Sequence, residues 1–298
     1  MAQLETIESY RRLLFTIAYQ ITGHASTAED IVQETYLRHQ QAHPEEGIQS
    51  LKAYLSTIAT RLAIDYVKSA QHTRESYMGT WLPEPILTST TNPLDEIVEQ
   101  HEAVSLALLV LLETLTPPER AVFLLHEVLD FTYAEIAPIV DKSVAACRQV
   151  CHRAQHHLAA KQRHFIVSHE AQQRLVTNFL LACQNGQFDA LLHDLARDVT
   201  LWSDGGGKVP VAGHPLQGAA IIARFFLGLA RKGASQQARV AIDEVNAAPA
   251  LLIWEHEIVT TVMVFATDGA QIHGIYSQRN PDKLRFIQHQ LDQRTMTS

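Results

Sequence analysis

Residues 132–158 read TYAEIAPIVDKSVAACRQVCHRAQHHL, two helix-forming stretches joined by the short turn VDKS. That length is the one expected of a helix-turn-helix, whose second helix enters the DNA major groove. On this second helix Val144, Cys147, Cys151, Ala154 and Leu158 recur at spacings of 3, 4, 3 and 4, which makes one apolar stripe. Both cysteines belong to that stripe. The opposite surface carries Ala145, Ala146, Arg148, Gln149, His152, Arg153 and His156, small residues that permit close approach mixed with donors for base edges and phosphates. A zinc site needs four convergent ligands, which a C-x₃-C pair with histidines round the far side does not supply, so no metal is expected. The bland alternative for the basic face is a solvated helix. Asp141 occupies a turn position where glycine is common.

Immediately upstream, TPPERAVFLLHEVL (116–129) begins with a Thr116 cap and Pro117 in the first turn, completing a three-helix pattern within a helical unit of about 97–165. Net charge is −8 over 298 residues, unusual for a nucleic-acid binder, yet its distribution is uneven. From Lys142 to His169 there are Lys142, Arg148, Arg153, Lys161, Arg163 and five histidines with no acid. Conversely, residues 76–103 hold Glu84, Asp95, Glu96, Glu99 and Glu102 with no Lys or Arg. Pro83, Pro85 and Pro93 with interspersed Ser and Thr mark 79–96 as a linker.

Nearer the N-terminus, Leu13, Leu14, Ile17, Ala18 and Ile21 follow helical spacing. TAEDIVQETYLRHQQA reads as a helix with acids in its first turn, and LKAYLSTIATRLAIDYVKSAQ as an amphipathic helix with Leu51, Tyr54, Leu55, Ile58, Leu62 and Ile64 toward a core. Beyond 170 the pattern becomes α+β: two helices, a strand VTLWSD, a glycine loop, a helix, then four alternating strands, which suits long helices on a curved antiparallel sheet. The start MAQLETIESYRRLLF has no apolar signal region, and LALLVLL at 106–112 stops at Glu113, so a cytoplasmic protein without membrane contact is expected. Three cysteines fit a reducing compartment.

TAEDIVQETYLR with LKAYLSTIATRLAIDYVKSAQHTRESY resembles region 2 of bacterial extracytoplasmic-function sigma factors, and LTPPERAVFLLHEVLDFTYAEIAPIVDKSVAACRQVCHRAQHHL resembles their region 4. WLPEP (81–85), DGGGK (204–208) and NPDKL (280–284) narrow the likeness to the subgroup with a fused SnoaL-like domain. The resemblance implies a multidomain fold: two all-α sigma domains, region 2 as a helical bundle over 1–78 and region 4 as a helix-turn-helix over 101–166. A linker follows region 2 over 79–100, and an α+β SnoaL-like cone domain occupies 167–298. It implies core RNA polymerase as partner, met at the β′ clamp helices and the β flap, and promoter DNA as target. Asp30, Gln33, Glu34 and Arg38 match the polymerase-facing helix. Arg61, Lys68 and Arg74 match the region that follows the promoter strands. Ser143, Ala145, Ala146, Arg148 and Gln149 match base-edge readers, with Lys142 and Arg153 on phosphate and His152 on either. The acidic linker would thread a positively charged polymerase channel, or be a solvated tether.

The motif residues Trp81, Leu82, Pro83, Glu84, Pro85, Asp204, Gly205, Gly206, Gly207, Lys208, Asn280, Pro281, Asp282, Lys283 and Leu284 would be surface elements by which the cone domain packs on the rest and regulates it. SDGGGKVPV lacks phosphate-loop spacing and reads as a loop between strands. No cofactor is implied. Two other readings stay open: a ligand-sensing or acid/base cone, with His193, Asp194, Asp204, His214, His256 and His273 as available groups, and a helix-turn-helix regulator that works without polymerase.

Overall fold

In the computed structural model, the described residues are 7–42, 48, 50–75, 77–88, 104–159, 167–231 and 238–297. They form two compact units. The first comprises residues 7–75, 104 and 111–159; the second comprises 77–88, 105–110 and 167–297.

The first unit is all helix. Helix α1 (Arg11–Thr22) is buried over most of its circumference and ends on Gly23, which takes φ 71°. It packs against α2 (Ala25–Ala42) and α3 (Leu51–Glu75). Helix α2 begins before the expected start, so its acids lie beyond the first turn. On α3 the buried line runs through Leu55, Ala59, Ala63, Ile64 and Val67, whereas Leu51, Tyr54, Ile58 and Leu62 are half-buried. Small residues let α1 approach closely, so the seam sits beside the bulky positions that hydropathy favours.

Helix α4 (Leu106–Leu112) precedes α5 (Pro117–Glu127), α6 (Tyr133–Ile139) and α7 (Val144–Ala159). Two capping boxes start α5 and α6. The N–H groups of Thr116 and Thr132 donate to Glu119 and Glu135 at 3.0 and 2.8 Å, and the threonine hydroxyl bonds hold both carboxyls below the usual range. Pro138 cannot donate and helps stop α6, and Asp141 makes the turn at φ 54° without a glycine.

Helices α8 (His169–Gln184), α9 (Phe188–Asp194) and α10 (Ala219–Arg231) pack with a six-stranded sheet in the second unit. Its strands are β1 (Leu195–Asp204), β2 (Leu216–Gln217), β3 (Arg239–Val245), β4 (Ala248–Glu255), β5 (Ile258–Thr267) and β6 (Ile272–Gln278), ordered β2-β1-β6-β5-β4-β3. The α+β expectation holds with one correction: β1 and β6 pair in parallel, so the sheet is mixed. The turns β3–β4 and β4–β5 use Asn246-Ala247 and His256-Glu257, all at positive φ, with no glycine.

One sheet face buries Phe179, Phe226 and Phe265 beneath α8 to α10. The other buries Leu252, Val262 and Tyr276 against Leu82, Leu106, and the Ile287 and Leu291 of helix α11 (Arg285–Thr297). Helix α11 was not anticipated, although Leu284, Ile287 and Leu291 carry its spacing. Residues 79–88, read as the start of a linker, are instead strapped to the sheet: Leu87 bridges Val245, and Ile86 exchanges bonds with Asn246. Glu84 is buried there, which removes it from the acidic run; Asp95, Glu96, Glu99 and Glu102 lie outside the described residues.

Candidate nucleic-acid interface and a buried ionic network

Helix α7 seats Cys147, Val150, Cys151, Ala154 and Leu158 in the core. Val144, read as part of that stripe, is 37% exposed at the helix start, and Val150 takes the buried place. The buried thiols of Cys147 and Cys151 are pushed up by desolvation. Lys142, Ser143, Ala145, Arg148, Gln149, His152 and Arg153 are exposed and Ala146 is half-buried. They form one continuous surface. Ser143 also has a structural task, because its Oγ accepts the Ala146 N–H at 3.1 Å and caps the helix. The Arg148 guanidinium lies 5.8 Å from the ring centre of Tyr133 on α6, and the rings of His152 and His156 meet edge-on.

On α2, Asp30, Gln33 and Arg38 are exposed, and Arg38 bonds Glu34 at 2.8 Å. Leu37 stands between them, 49% exposed, an apolar residue on this face that charge reasoning missed. On α3, Lys68 is exposed 3.9 Å from Asp65, and the side chain of Arg74 lies outside the described residues. Arg61 does not sit free for phosphate. Its guanidinium donates to the carbonyls of Pro138 and Ile139 at 2.8 and 3.1 Å. These are last-turn carbonyls of α6, which lack helix partners and carry the negative end of its dipole. A second arginine, Arg120, is 2% exposed; it donates to Ile21 O at 2.8 Å and Leu112 O at 3.0 Å and pairs with Glu113 at 2.7 Å.

The three short motifs meet inside the second unit. Asp204, at the end of β1, is fully buried, and its carboxylate accepts from Tyr77 Oη at 2.5 Å, Leu82 N at 2.9 Å, Gly206 N at 3.0 Å and Lys283 Nζ at 2.8 Å. Lys283, 4% exposed, also donates to Leu82 O at 2.6 Å and lies 4.7 and 4.2 Å from the ring centres of Tyr77 and Trp81. Gln278 Nε2 reaches the carbonyls of Leu82 and Pro83, both at 3.2 Å. Burial and the bond to Asp204 raise the Tyr77 phenol well above its ordinary pKa. The expectation of surface elements is corrected here. Only the rim is exposed, where Lys208 pairs with Asp282. The loop after Asp204 does join two strands, as read.

A model of sigma-70 region 2 matches residues 6–73, and one of sigma-70 region 4 matches residues 105–158. The chain is 36% identical over 249 residues to the ECF RNA polymerase sigma factor SigJ of Mycobacterium tuberculosis, covering 80% of this chain and 78% of SigJ. The chain belongs to the extracytoplasmic-function RNA polymerase sigma factors. The probable ECF sigma factor SigI of the same species is 31% identical over 288 residues, with 95% of both chains covered. The crystal structure of M. tuberculosis SigJ superposes with a TM-score of 0.76 at 29% identity, covering 94% of this chain and 97% of that one.

A sigma factor directs core polymerase to promoters, and the region 2 match disfavours a regulator that works without polymerase. No helix among the described residues is long and apolar enough to cross a membrane. The family resemblance links WLPEP, DGGGK and NPDKL in this sigma factor but misses Tyr77 and Gln278, which complete the network from positions just outside the motifs. Gly206 has φ 60°, and an added Cβ would fall 2.3 Å from Asn280 Nδ2, the group that donates to Tyr77 Oη at 2.9 Å. Gly206→Ala is therefore expected to cost about 1–3 kcal/mol through backbone strain. Chemical denaturation checks this, and an unchanged midpoint counts against the assignment.

Proposed function

We propose that this sigma factor engages polymerase through the α2 face of Asp30, Gln33, Glu34, Leu37 and Arg38, meeting the β′ clamp helices, while its region 4 meets the β flap. Asp30, Gln33 and Leu37 lie on one helical face, as a docking surface requires. Region 4 reads the upstream promoter element with Ala145, Ala146, Arg148 and Gln149 at base edges, where Arg forks onto guanine and Gln onto adenine. Lys142, Arg153 and His152 hold the backbone, and Lys68 and Arg74 follow the strands near the downstream element. The two sigma regions and the cone domain act as modules, with residues 77–88 and 105–110 packed on the cone domain's sheet and the acids Asp95, Glu96, Glu99 and Glu102 in the polymerase channel. The cone domain regulates rather than catalyses. His193 and Asp194 bond each other at 2.9 Å, His273 bonds Asp268 at 2.9 Å, and His214 and His256 sit exposed on turns, so these groups are dispersed.

Arg61 on the α6 carbonyls supports a closed resting arrangement of the two sigma regions. By the family resemblance region 2 opens the minus-ten element and region 4 reads the minus-thirty-five element, about 25 base pairs away, roughly 85 Å of duplex at ~3.4 Å per step. Helices in hydrogen-bond contact cannot read both at once, so α3 and α6 must separate and Arg61 is released to the DNA. The Lys52 ammonium, 4.9 Å from the Phe131 ring centre, adds to the same latch.

The test is run-off transcription with the full chain and core polymerase. Arg148→Ala is expected to lose roughly 1–3 kcal/mol of discrimination between the promoter and a scrambled duplex. Equal loss on both would reduce Arg148 to a phosphate anchor. Asp30→Lys with Leu37→Glu should abolish co-elution with core enzyme; retained co-elution places the contact elsewhere.

A further inference from the structure

The cone-shaped unit encloses a cavity of about 500 Å³ between the inner sheet face and helices α8 and α10. That lies within the roughly 300–1,000 Å³ of small-molecule sites. Its wall is mostly apolar, with Phe179, Phe225, Phe226 and Met263 prominent. Alternation along the strands sets what faces inward. Ser203 on β1 is paired with Ser277 on β6, and Ser277 with Met263 on β5, so one row across the sheet presents two hydroxyls and a thioether. Thr261, two residues before Met263, adds a third hydroxyl.

Ser203, Ser277 and Thr261 are only 7%, 6% and 7% exposed. All three line the cavity, so their hydroxyls offer hydrogen bonds to whatever fills it. The wall's charged groups are Glu255, which is exposed, and Arg279, whose guanidinium is already bonded to Pro210 O at 2.8 Å. Cys183 also lines the cavity, and burial pushes its thiol up to about 12, so it is not poised for covalent chemistry.

We infer that this cavity is a binding site for an uncharged, largely apolar small molecule carrying one or two oxygen functions that bond the Ser203, Ser277 and Thr261 hydroxyls. An anion would have to strip Arg279 from Pro210, and an acid/base substrate would meet no histidine on the wall among the described residues. The inference is independent of the polymerase and promoter assignments.

The experiment titrates the full chain with Nile red, an uncharged aromatic carbonyl compound, and with phenanthrene, a hydrocarbon. Saturable one-to-one binding of both is expected. Ser203→Ala with Ser277→Ala should weaken Nile red about five- to tenfold and leave phenanthrene within about twofold. Cys183→Trp, which fills the space, should abolish both. Independently of any variant, the methyl signals of the chain's four methionines report the site, and Met263 alone among Met1, Met78, Met263 and Met296 should shift at saturation. The inference is overturned if neither neutral probe saturates, if Met263 stays still while binding proceeds, if serine removal weakens both probes equally, or if anionic 1-anilinonaphthalene-8-sulfonate binds more tightly at this site than Nile red.

Discussion

Asp204→Ala is expected to lower the thermal midpoint of the C-terminal unit by roughly 10 °C, from a loss of about 3–5 kcal/mol. Asp204 is fully buried and is the shared acceptor of a phenol, two backbone N–H groups and an ammonium. Removing it leaves the buried Lys283 ammonium without its carboxylate partner, while the Leu82 carbonyl and the Tyr77 and Trp81 ring faces remain beside it. The asymmetry gives a sharp check. Lys283→Met alone strands the carboxylate, whereas Asp204→Ala combined with Lys283→Met removes both charges and is expected to be less damaging than the sum of the two. Differential scanning calorimetry of the four chains measures the coupling, and strict additivity would mean that the pair is not a unit. Limited proteolysis should also find 77–88 cleavable in the Asp204→Ala chain, because the anchor of Leu82 N is gone.

Arg120→Met is expected to cost a comparable ~3–5 kcal/mol, but in the helical unit. Arg120 is the side chain through which α5 reaches the α1 carbonyl of Ile21 while also satisfying Leu112 O and Glu113. Methionine keeps much of the volume and none of the donors, so the Ile21 and Leu112 carbonyls lose the guanidinium and Glu113 loses its ion pair. The consequence differs from that of Arg61. Loss of Arg61 removes a latch whose carbonyls sit at a helix end and can turn to water, so Arg61→Ala should leave the unfolding free energy within about 1 kcal/mol. Equilibrium unfolding followed by circular dichroism compares them, and equal losses would mean that Arg61 is as structural as Arg120.

Helical segments are legible in the sequence because they are periodic: in α7 and the helix-turn-helix, spacing alone tells the inner face from the outer. The α3 seam is less so, since close helix approach selects Ala59 and Ala63 over the larger Tyr54 and Ile58. Parallel pairing of β1 with β6 leaves no local trace, because it joins the first and last long strands of the sheet. Two-residue turns at positive φ are masked by Asn246-Ala247 and His256-Glu257, which lack the glycine that normally signals them. The strap is misread for a reason of charge and composition: prolines and polar residues look like tether until Asp204 and Lys283, far along the chain, supply its partners. Arg61 reads from sequence as a phosphate contact, and only the approach of α6 shows the alternative use of its guanidinium.

The pairing of β1 with β6 and the strap also impose an order in time. Every residue of the helix-turn-helix leaves the ribosome before Lys283 exists, and the roughly 120 codons between them take about 6–24 s to translate at about 5–20 residues per second. During that interval the nascent chain has its helix-turn-helix but lacks the Gln278 and Lys283 contacts that help tie down residues 77–88. A stop codon between residues 167 and 283 would make this interval permanent, giving a polypeptide with both helical modules and no Lys283 to hold residues 77–88.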